Sequence, residues 1–533
     1  MTVEARRAPT ILILMTILLA IVSRVWVSFP TWMHYDENYY INIAQNYVTR
    51  GQLTPYMWRL GEVNIISGSG SGYGILLLIE WLRLVDFSLF WGRMLMVMVG
   101  LLTAGVMYQV AKLWWYSRVA GLAAFVFALV GTSPFYTLIL KMDAIGILMY
   151  SLVLLLHLYA VRLNNRWLHL GTGILAVVTL EFHVLGMLYA LALSAYYAWR
   201  YVVDVVEKRR IVLAHEAVYF ASGVLLAGGI YALVHILPDP KEYFYVATHC
   251  LECDEGLLLT EFKRMIRMFV LRPTDVLIFF FVFASAVVRH KQEDNHYLAI
   301  VLGWLVAQAI VGPPPYAHYI SHFWPLVALG AAGFVAWGFR YRPNHWRLPI
   351  CAALATVLVF ANLGMHLAGS HPFLLSYELK PCTPTGTAAT EGETAPVCER
   401  ILGQSTGNKD AVAYIQAAVP RKTVIMAGVP LFYPLRDYES FLAYRDGSIY
   451  GADLRGESML EFWHRIEPQV VLLDEDIVLR DSELTQYLRE RQFVHVLPGL
   501  WVSEDLWVSQ PPGINGDRLP TLQIWSSWKW MRC

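Results

Sequence analysis

The chain has 533 residues, of which 57% are hydrophobic and only 15% charged, with a mean hydropathy of +0.46. That balance excludes an ordinary soluble domain, in which about a quarter of the residues carry charge, and it implies a polytopic α-helical membrane protein. The 41 basic and 41 acidic side chains cancel, so net charge gives no sign of an anionic partner and no nucleic-acid partner is expected; six cysteines are too few for a disulfide-built fold.

Residues 1–30 begin basic, continue as a long apolar run and lack a small-residue cleavage site, which reads as a retained signal-anchor helix with its N-terminus in the cytoplasm. The next loop carries "MHYDENYY" (33–40), where Asp36 and Glu37 sit side by side just past lipid depth. In "DENYYINIAQNYVTRGQ", Tyr40, Ala44, Tyr47 and Val48 recur at helical spacing and Gly51 is placed to stop the helix. "SGSGSGYG" (67–74) then leads into "GILLLIEWLRLVDF" (74–87), which is too short and too interrupted to span. Both stretches are expected to be amphipathic helices in the membrane interface, with an ordinary extracellular hairpin as the alternative. The glycine run lacks the Lys-Ser/Thr ending of a nucleotide P-loop. It is either a flexible loop or, through Ser69, Gly70, Ser71 and Gly72 ahead of a helix N-terminus, a receptor for a lipid phosphate.

Runs long enough to cross a bilayer, roughly 20 apolar residues, follow at 88–111, 119–138, 144–161, 168–182, 184–199, 211–236, 274–288, 297–312, 321–338 and 348–367. With the first helix this makes about eleven spans. Strict alternation puts inside Arg6 and Arg7; Lys112 and Arg118; Arg162 and Arg166; Arg200 with Lys208, Arg209 and Arg210; Arg289 and Lys291; and Arg340, Arg342 and Arg347. Every inner connection is then basic, as the positive-inside rule requires.

After residue 368 the apolar spans stop. Cys382 and Cys398 bracket a Thr-rich loop, and helical and strand patterns alternate: "NKDAVAYIQAAV" (helix), "KTVIMAG" (strand), "SMLEFWHRIEP" (helix), "QVVLLDED" (buried strand), "DSELTQYLRERQ" (helix) and "FVHVL" (strand). The expected organisation is a transmembrane domain over 1–367 and an extracytoplasmic α/β domain over 368–533. Outside the cell Cys382 and Cys398 can form a disulfide or remain thiols. Cys250 and Cys253 form a C-x-x-C with no second pair to complete a zinc site, which leaves a local disulfide, inert thiols or a metal open.

Ionisable residues near membrane depth are costly and mark functional sites. Asp36, Glu37, Asp143, Glu181, His183 and His318 all fall at outer ends of the expected spans, on four separate connections. Carboxylates there can act as a general base toward a hydroxyl, or hold a divalent cation with imidazole; Lys141, Arg93 or a metal can stabilise a departing phosphate. No HExxH, zinc-type cysteine spacing or G-x-S-x-G elbow is present, so protease and serine-hydrolase readings have no support.

Taken in order, "DENYY" in the first outer loop, Gly92-Arg93, "KMD" (141–143) before the fourth span, "EFHVLG" (181–186) after the fifth and "YAHYISHFWPLVALGAAG" (316–333) near the tenth resemble the GT-C glycosyltransferases of the protein O-mannosyltransferase and lipid A aminoarabinose transferase type. The resemblance covers about residues 8–367. It implies an inverting transferase in the plasma (inner) membrane that moves a sugar from a polyprenyl-phosphate donor to a hydroxyl acceptor on the outer face. By the same resemblance Asp36 is the general base with Glu37 beside it, and Asp143 is a second-loop acid that positions substrate or metal. His183, His318 and Tyr319 would line the donor cavity, and Tyr35, Tyr40, Arg93, Lys141, Glu181 and His322 complete the candidate substrate-binding set. A divalent cation (Mg, Mn or Ca) would sit on Asp36, Asp143 and His318. The family shows Arg-Pro-acid or Arg-x-acid where this chain has Lys141-Met142-Asp143, which keeps the charge and loses the bidentate phosphate contact. A transporter or lipid flippase is the main rival; it would leave ionisable groups deep in several spans and on both sides. A polysaccharide polymerase or ligase and a scaffold for the tail domain are the others.

Overall fold

The computed structural model describes residues 35–51, 72–130, 140–208, 215–238, 292–311, 320–340, 406–428, 440–444, 456–473 and 481–506, with a few isolated positions between them. The chain forms two compact units, residues 1–32 with 63–376 and residues 33–62 with 377–533.

In the first unit the described helices are α2 (Ile75–Leu84), α3 (Leu89–Trp114), α4 (Arg118–Val130), α5 (Met142–Leu163), α6 (Arg166–Val178), α7 (Gly186–Lys208), α8 (His215–Tyr231), α9 (Gln292–Val311) and α10 (Ile320–Arg340). α3 to α10 fall where hydropathy placed spans, because a continuous apolar run can satisfy its backbone in lipid only as a helix. Among the described residues three are long and apolar enough to cross a membrane: Leu89–Trp114, Met142–Leu163 and His215–Ile236. The last is little buried, with Leu225 75% and Leu233 63% exposed, so its apolar face suits lipid. α2 is amphipathic as expected, burying Ile75, Leu78, Ile79 and Leu82 and exposing Leu77 and Leu84.

Polar residues make the corners. Asn164 ends α5 in the left-handed conformation (φ 46°), and the Asn165 side chain caps α6 by accepting from the Trp167 amide at 2.9 Å. α6 and α8 approach closely through Gly173 and Gly223, since a Cβ at either would overlap a carbonyl of the other helix. α10 is tied inward by indole and phenol donors: Trp115 to the Leu329 carbonyl (2.8 Å), Tyr297 to Leu326 (3.0 Å), and its own Trp324 to Phe127 (2.8 Å).

The second unit contains α1 (Tyr35–Arg50), the helix that carries the acidic pair. Gly51 follows at φ +71°, its amide donating to Tyr47, which is the stop that the sequence indicated. Glu37, Tyr39, Tyr40, Ile41, Asn42, Ile43 and Ala44 are all buried, more than a helix floating in an interface needs. The rest of this unit comprises α11 (Thr406–Ala418), β1 (Val424–Ala427), β2 (Ser440–Ala443), α12 (Met459–Ile466), β3 (Val470–Leu472), α13 (Ser482–Glu490), β4 (Phe493–Leu497) and β5 (Leu500–Ser503). The sheet order is β2-β1-β3-β5-β4, with β1 parallel to both neighbours and β5 antiparallel to both of its own. Phe441, Phe462, Trp463 and Tyr487 fill its core. The four-residue β2 and β5 were not foreseen from the sequence. Cys250, Cys253, Cys382 and Cys398 and the expected span 348–367 lie outside the described residues, and only isolated positions are described within 1–30 and 274–288.

Candidate active site

Within the first unit, three chain segments bring polar side chains to one buried point. Asp143 stands in the first turn of α5 behind Lys141 at its N-cap, His183 in the turn between α6 and α7, and His322 in the first turn of α10. His322 Nε2 donates to Asp143 Oδ1 at 2.8 Å, His183 Nε2 lies 3.6 Å from the same oxygen, and Lys141 Nζ lies 3.5 Å from Oδ2. The Asp143 and His322 side chains are essentially inaccessible to solvent. A carboxylate removed from water costs several kcal/mol unless charges and donors replace its hydration; here one ammonium and two imidazoles do so.

The imidazoles are themselves held. The Tyr189 hydroxyl donates to the His322 carbonyl at 2.7 Å, and the Tyr150 ring stacks on Tyr189 with centroids 4.6 Å apart and lies 5.5 Å from the His322 ring. The two imidazole rings are 4.5 Å apart. The Leu185 amide donates to His183 Nδ1 at 3.2 Å, so a neutral His183 carries its proton on Nε2, toward Asp143.

Asp143, His183 and His322 each offer a ligand atom, all within 4.8 Å of one another, a spacing that can hold a metal ion. For His183 and His322 to bind through Nε2 their protons must move to Nδ1, at the expense of the Leu185 hydrogen bond on His183 and of the bond from His322 to Asp143. Together those losses are about 3–4 kcal/mol, small beside the roughly 10 kcal/mol or more of a structural zinc site, so the donors fit an ion. Two imidazoles with one carboxylate suit an imidazole-preferring ion such as zinc or iron better than Mg²⁺, Mn²⁺ or Ca²⁺, which favour oxygen ligands.

Of the other residues singled out from the sequence, Arg93 is buried near the start of α3. Glu181 turns toward the end of the glycine-rich run, where its carboxylate accepts from the Tyr73 amide at 2.8 Å and its carbonyl from the Gly74 amide at 2.9 Å. Those two amides therefore serve a protein carboxylate and carbonyl, and Gly72 packs directly on Glu181. In the second unit Glu37 and Tyr40 are buried on α1, which also carries Tyr35 and Asp36, whose side chains are outside the described set. Ser69, Gly70, Ser71, His318 and Tyr319 lie outside the described residues.

The sequence reading missed a second buried polar network at the opposite ends of the same helices. His157 lies 14 residues beyond Asp143, about 21 Å along α5. Its Nε2 shares a hydrogen bond with His296 Nε2 (2.9 Å), and its Nδ1 meets the Tyr197 hydroxyl (3.2 Å), which also meets His169 Nδ1 (2.6 Å). A lone histidine deep in the apolar run 144–161 was the signal that could have found it.

No protein-family model and no curated protein matches the sequence. Solved structures do match. The apo structure of ArnT from Cupriavidus metallidurans superposes with a TM-score of 0.60 at 14% identity, covering 94% of this chain and 100% of that one. The same protein bound to undecaprenyl phosphate matches with a TM-score of 0.60 at 15% identity and the same coverage. The Archaeoglobus fulgidus oligosaccharyltransferase tethered with an acceptor peptide containing the NVT sequon matches with a TM-score of 0.52 at 10% identity, covering 91% of this chain and 72% of that one. The chain thus has the GT-C fold, as its outer-loop motifs led us to expect; at these identities the likeness is one of fold.

Proposed function

We propose that the protein is a membrane glycosyltransferase of the GT-C type that transfers a sugar from a polyprenyl-phosphate donor to a hydroxyl on the extracytoplasmic face. The observation that carries this reading is the buried Asp143 centre, clamped by Lys141, His183 and His322, in a chain whose fold is shared with a protein solved with undecaprenyl phosphate bound. Asp36 acts as general base: it takes the acceptor's proton as the acceptor oxygen bonds to the anomeric carbon, and the bond from that carbon to the phosphate oxygen breaks with inversion. Asp143 orients the donor, and Lys141 and Arg93 offset the charge that grows on the departing polyprenyl phosphate. A divalent ion on Asp143, His183 and His322 would add Lewis-acid stabilisation of that phosphate. In this reading the chain crosses the plasma (inner) membrane about eleven times, and its second unit is an extracytoplasmic domain.

In a purified assay with a polyprenyl-phosphate sugar, Asp36→Asn and Asp143→Asn should each lose at least about 100-fold in turnover while the protein still inserts and folds. Normal turnover by Asp36→Asn would sink the assignment of the base. The network around His157 gives a lipid transporter one supporting observation, ionisable groups at both ends of the bundle. Lipid movement across proteoliposomes without glycosyl transfer would favour that second reading.

A further inference from the structure

Three groups converge on Glu181. Besides the Tyr73 and Gly74 amides, His235 Nε2 donates to Glu181 Oε1 at 2.6 Å. The His235 side chain is fully buried, its ring 5.3 Å from that of Tyr73 and 4.5 Å from that of Tyr231. Its Nδ1 has no partner among the described residues. His235 stands in a π-helical turn, Ala232–Ile236, that ends α8. Such turns carry one residue more than the α-helix and recur where a side chain must be re-aimed at a functional site. The loop side is as specialised: a Cβ at Gly72 would overlap Glu181 Oε2, and one at Gly74 would overlap the Glu181 carbonyl oxygen and the Phe182 ring. These glycines admit Glu181, whatever the earlier part of the run does.

The position of Glu181 gives the contact its consequence. One residue separates it from His183, so the segment that grips the glycine-rich loop also presents an imidazole to Asp143. α2 starts at Ile75, one residue past the gripped amides, and is placed by the same grip.

We propose that Glu181 and His235 form a latch that fixes the end of the glycine-rich loop and α2 to the turn carrying His183, and so act as positioning residues for the lipid-phosphate donor. The choice of ligand rests on the glycosyltransferase reading; the latch itself does not.

The test uses the full chain in nanodiscs, with Glu181→Ala, His235→Ala, the double variant and His235→Gln, which keeps a donor for Glu181. Amide exchange is followed over residues 68–74, and undecaprenyl phosphate is the binding probe. Each alanine variant should speed exchange there and weaken binding about tenfold, the loss expected of one charge-assisted hydrogen bond. The double variant should be no worse than either single, because the two residues act as one unit. His235→Gln should recover part of the affinity, and the thermal midpoint should fall by no more than about the few degrees that one lost buried hydrogen bond implies. Additive single effects, wild-type exchange in both alanine variants, or faster exchange spread through α3 and α5 as well as the loop would overturn the proposal. A wild-type protein that binds no undecaprenyl phosphate, with the exchange pattern intact, would leave the latch standing and remove the donor assignment.

Discussion

Asp143 and His322 are 179 positions apart in the chain and 2.8 Å apart in space. Both were candidates from the sequence: Asp143, with His183 and Glu181, because each sits at an end of an apolar run where charge needs a reason, and His322, with Lys141, as part of the candidate substrate-binding set. Sequence could not say which imidazoles meet the carboxylate. His318 and His322 are four positions apart in the sequence; the expected ion was placed on Asp36, Asp143 and His318, of which His318 lies outside the described residues, and among the described residues His322 and His183 stand on Asp143. That donor set makes a prediction: after exposure to Zn²⁺ or Co²⁺ and desalting, elemental analysis should find about one equivalent per chain. His322→Ala should lose it, and Mg²⁺ or Ca²⁺ should wash out. Full retention by His322→Ala would exclude this ion site. The Leu185 amide on His183 Nδ1 was invisible beforehand, since a tautomer is set by a contact and not by residue type.

At the scale of elements, hydropathy located α3 to α10 because lipid leaves a long apolar run no alternative to the helix. Their packing depends on finer features. Gly173 and Gly223 let α6 and α8 touch backbone to backbone. Gly173→Val should therefore push the pair apart at a cost of about 1–3 kcal/mol, read as a lower thermal midpoint in nanodiscs. Gly228→Val on the partner helix α8, where a Cβ would meet nothing within 4 Å, should leave the midpoint unchanged, and equal effects at the two positions would contradict the packing argument. The π-turn at Ala232–Ile236 follows from no residue pattern in "YALVHI"; it carries His235, whose partner Glu181 lies 54 positions earlier in the chain.

For the whole molecule, a boundary near residue 367 was expected because apolar spans stop there. The contacts divide the chain differently in one respect, grouping residues 33–62 with 377–533. α1, with its buried Glu37, thereby belongs to the same compact unit as the five-stranded sheet. Removing residues 404–533 should consequently speed amide exchange throughout Tyr35–Arg50 while α3 and α5 keep their protection. Unchanged exchange in α1 would mean that its burial does not depend on the tail. Composition and hydropathy by themselves determined that this chain belongs in a membrane, where its helices run and which few residues are too costly to be idle, since burial in lipid constrains each segment independently of the others. The pairing of Asp143 with two distant histidines, the grip of Glu181 on the glycine-rich loop, the histidine network at the far ends of the helices and the grouping of the first loop with the tail were decided only by tertiary structure. Each depends on which faces of distant segments meet, and a linear pattern of residue types carries no information about that.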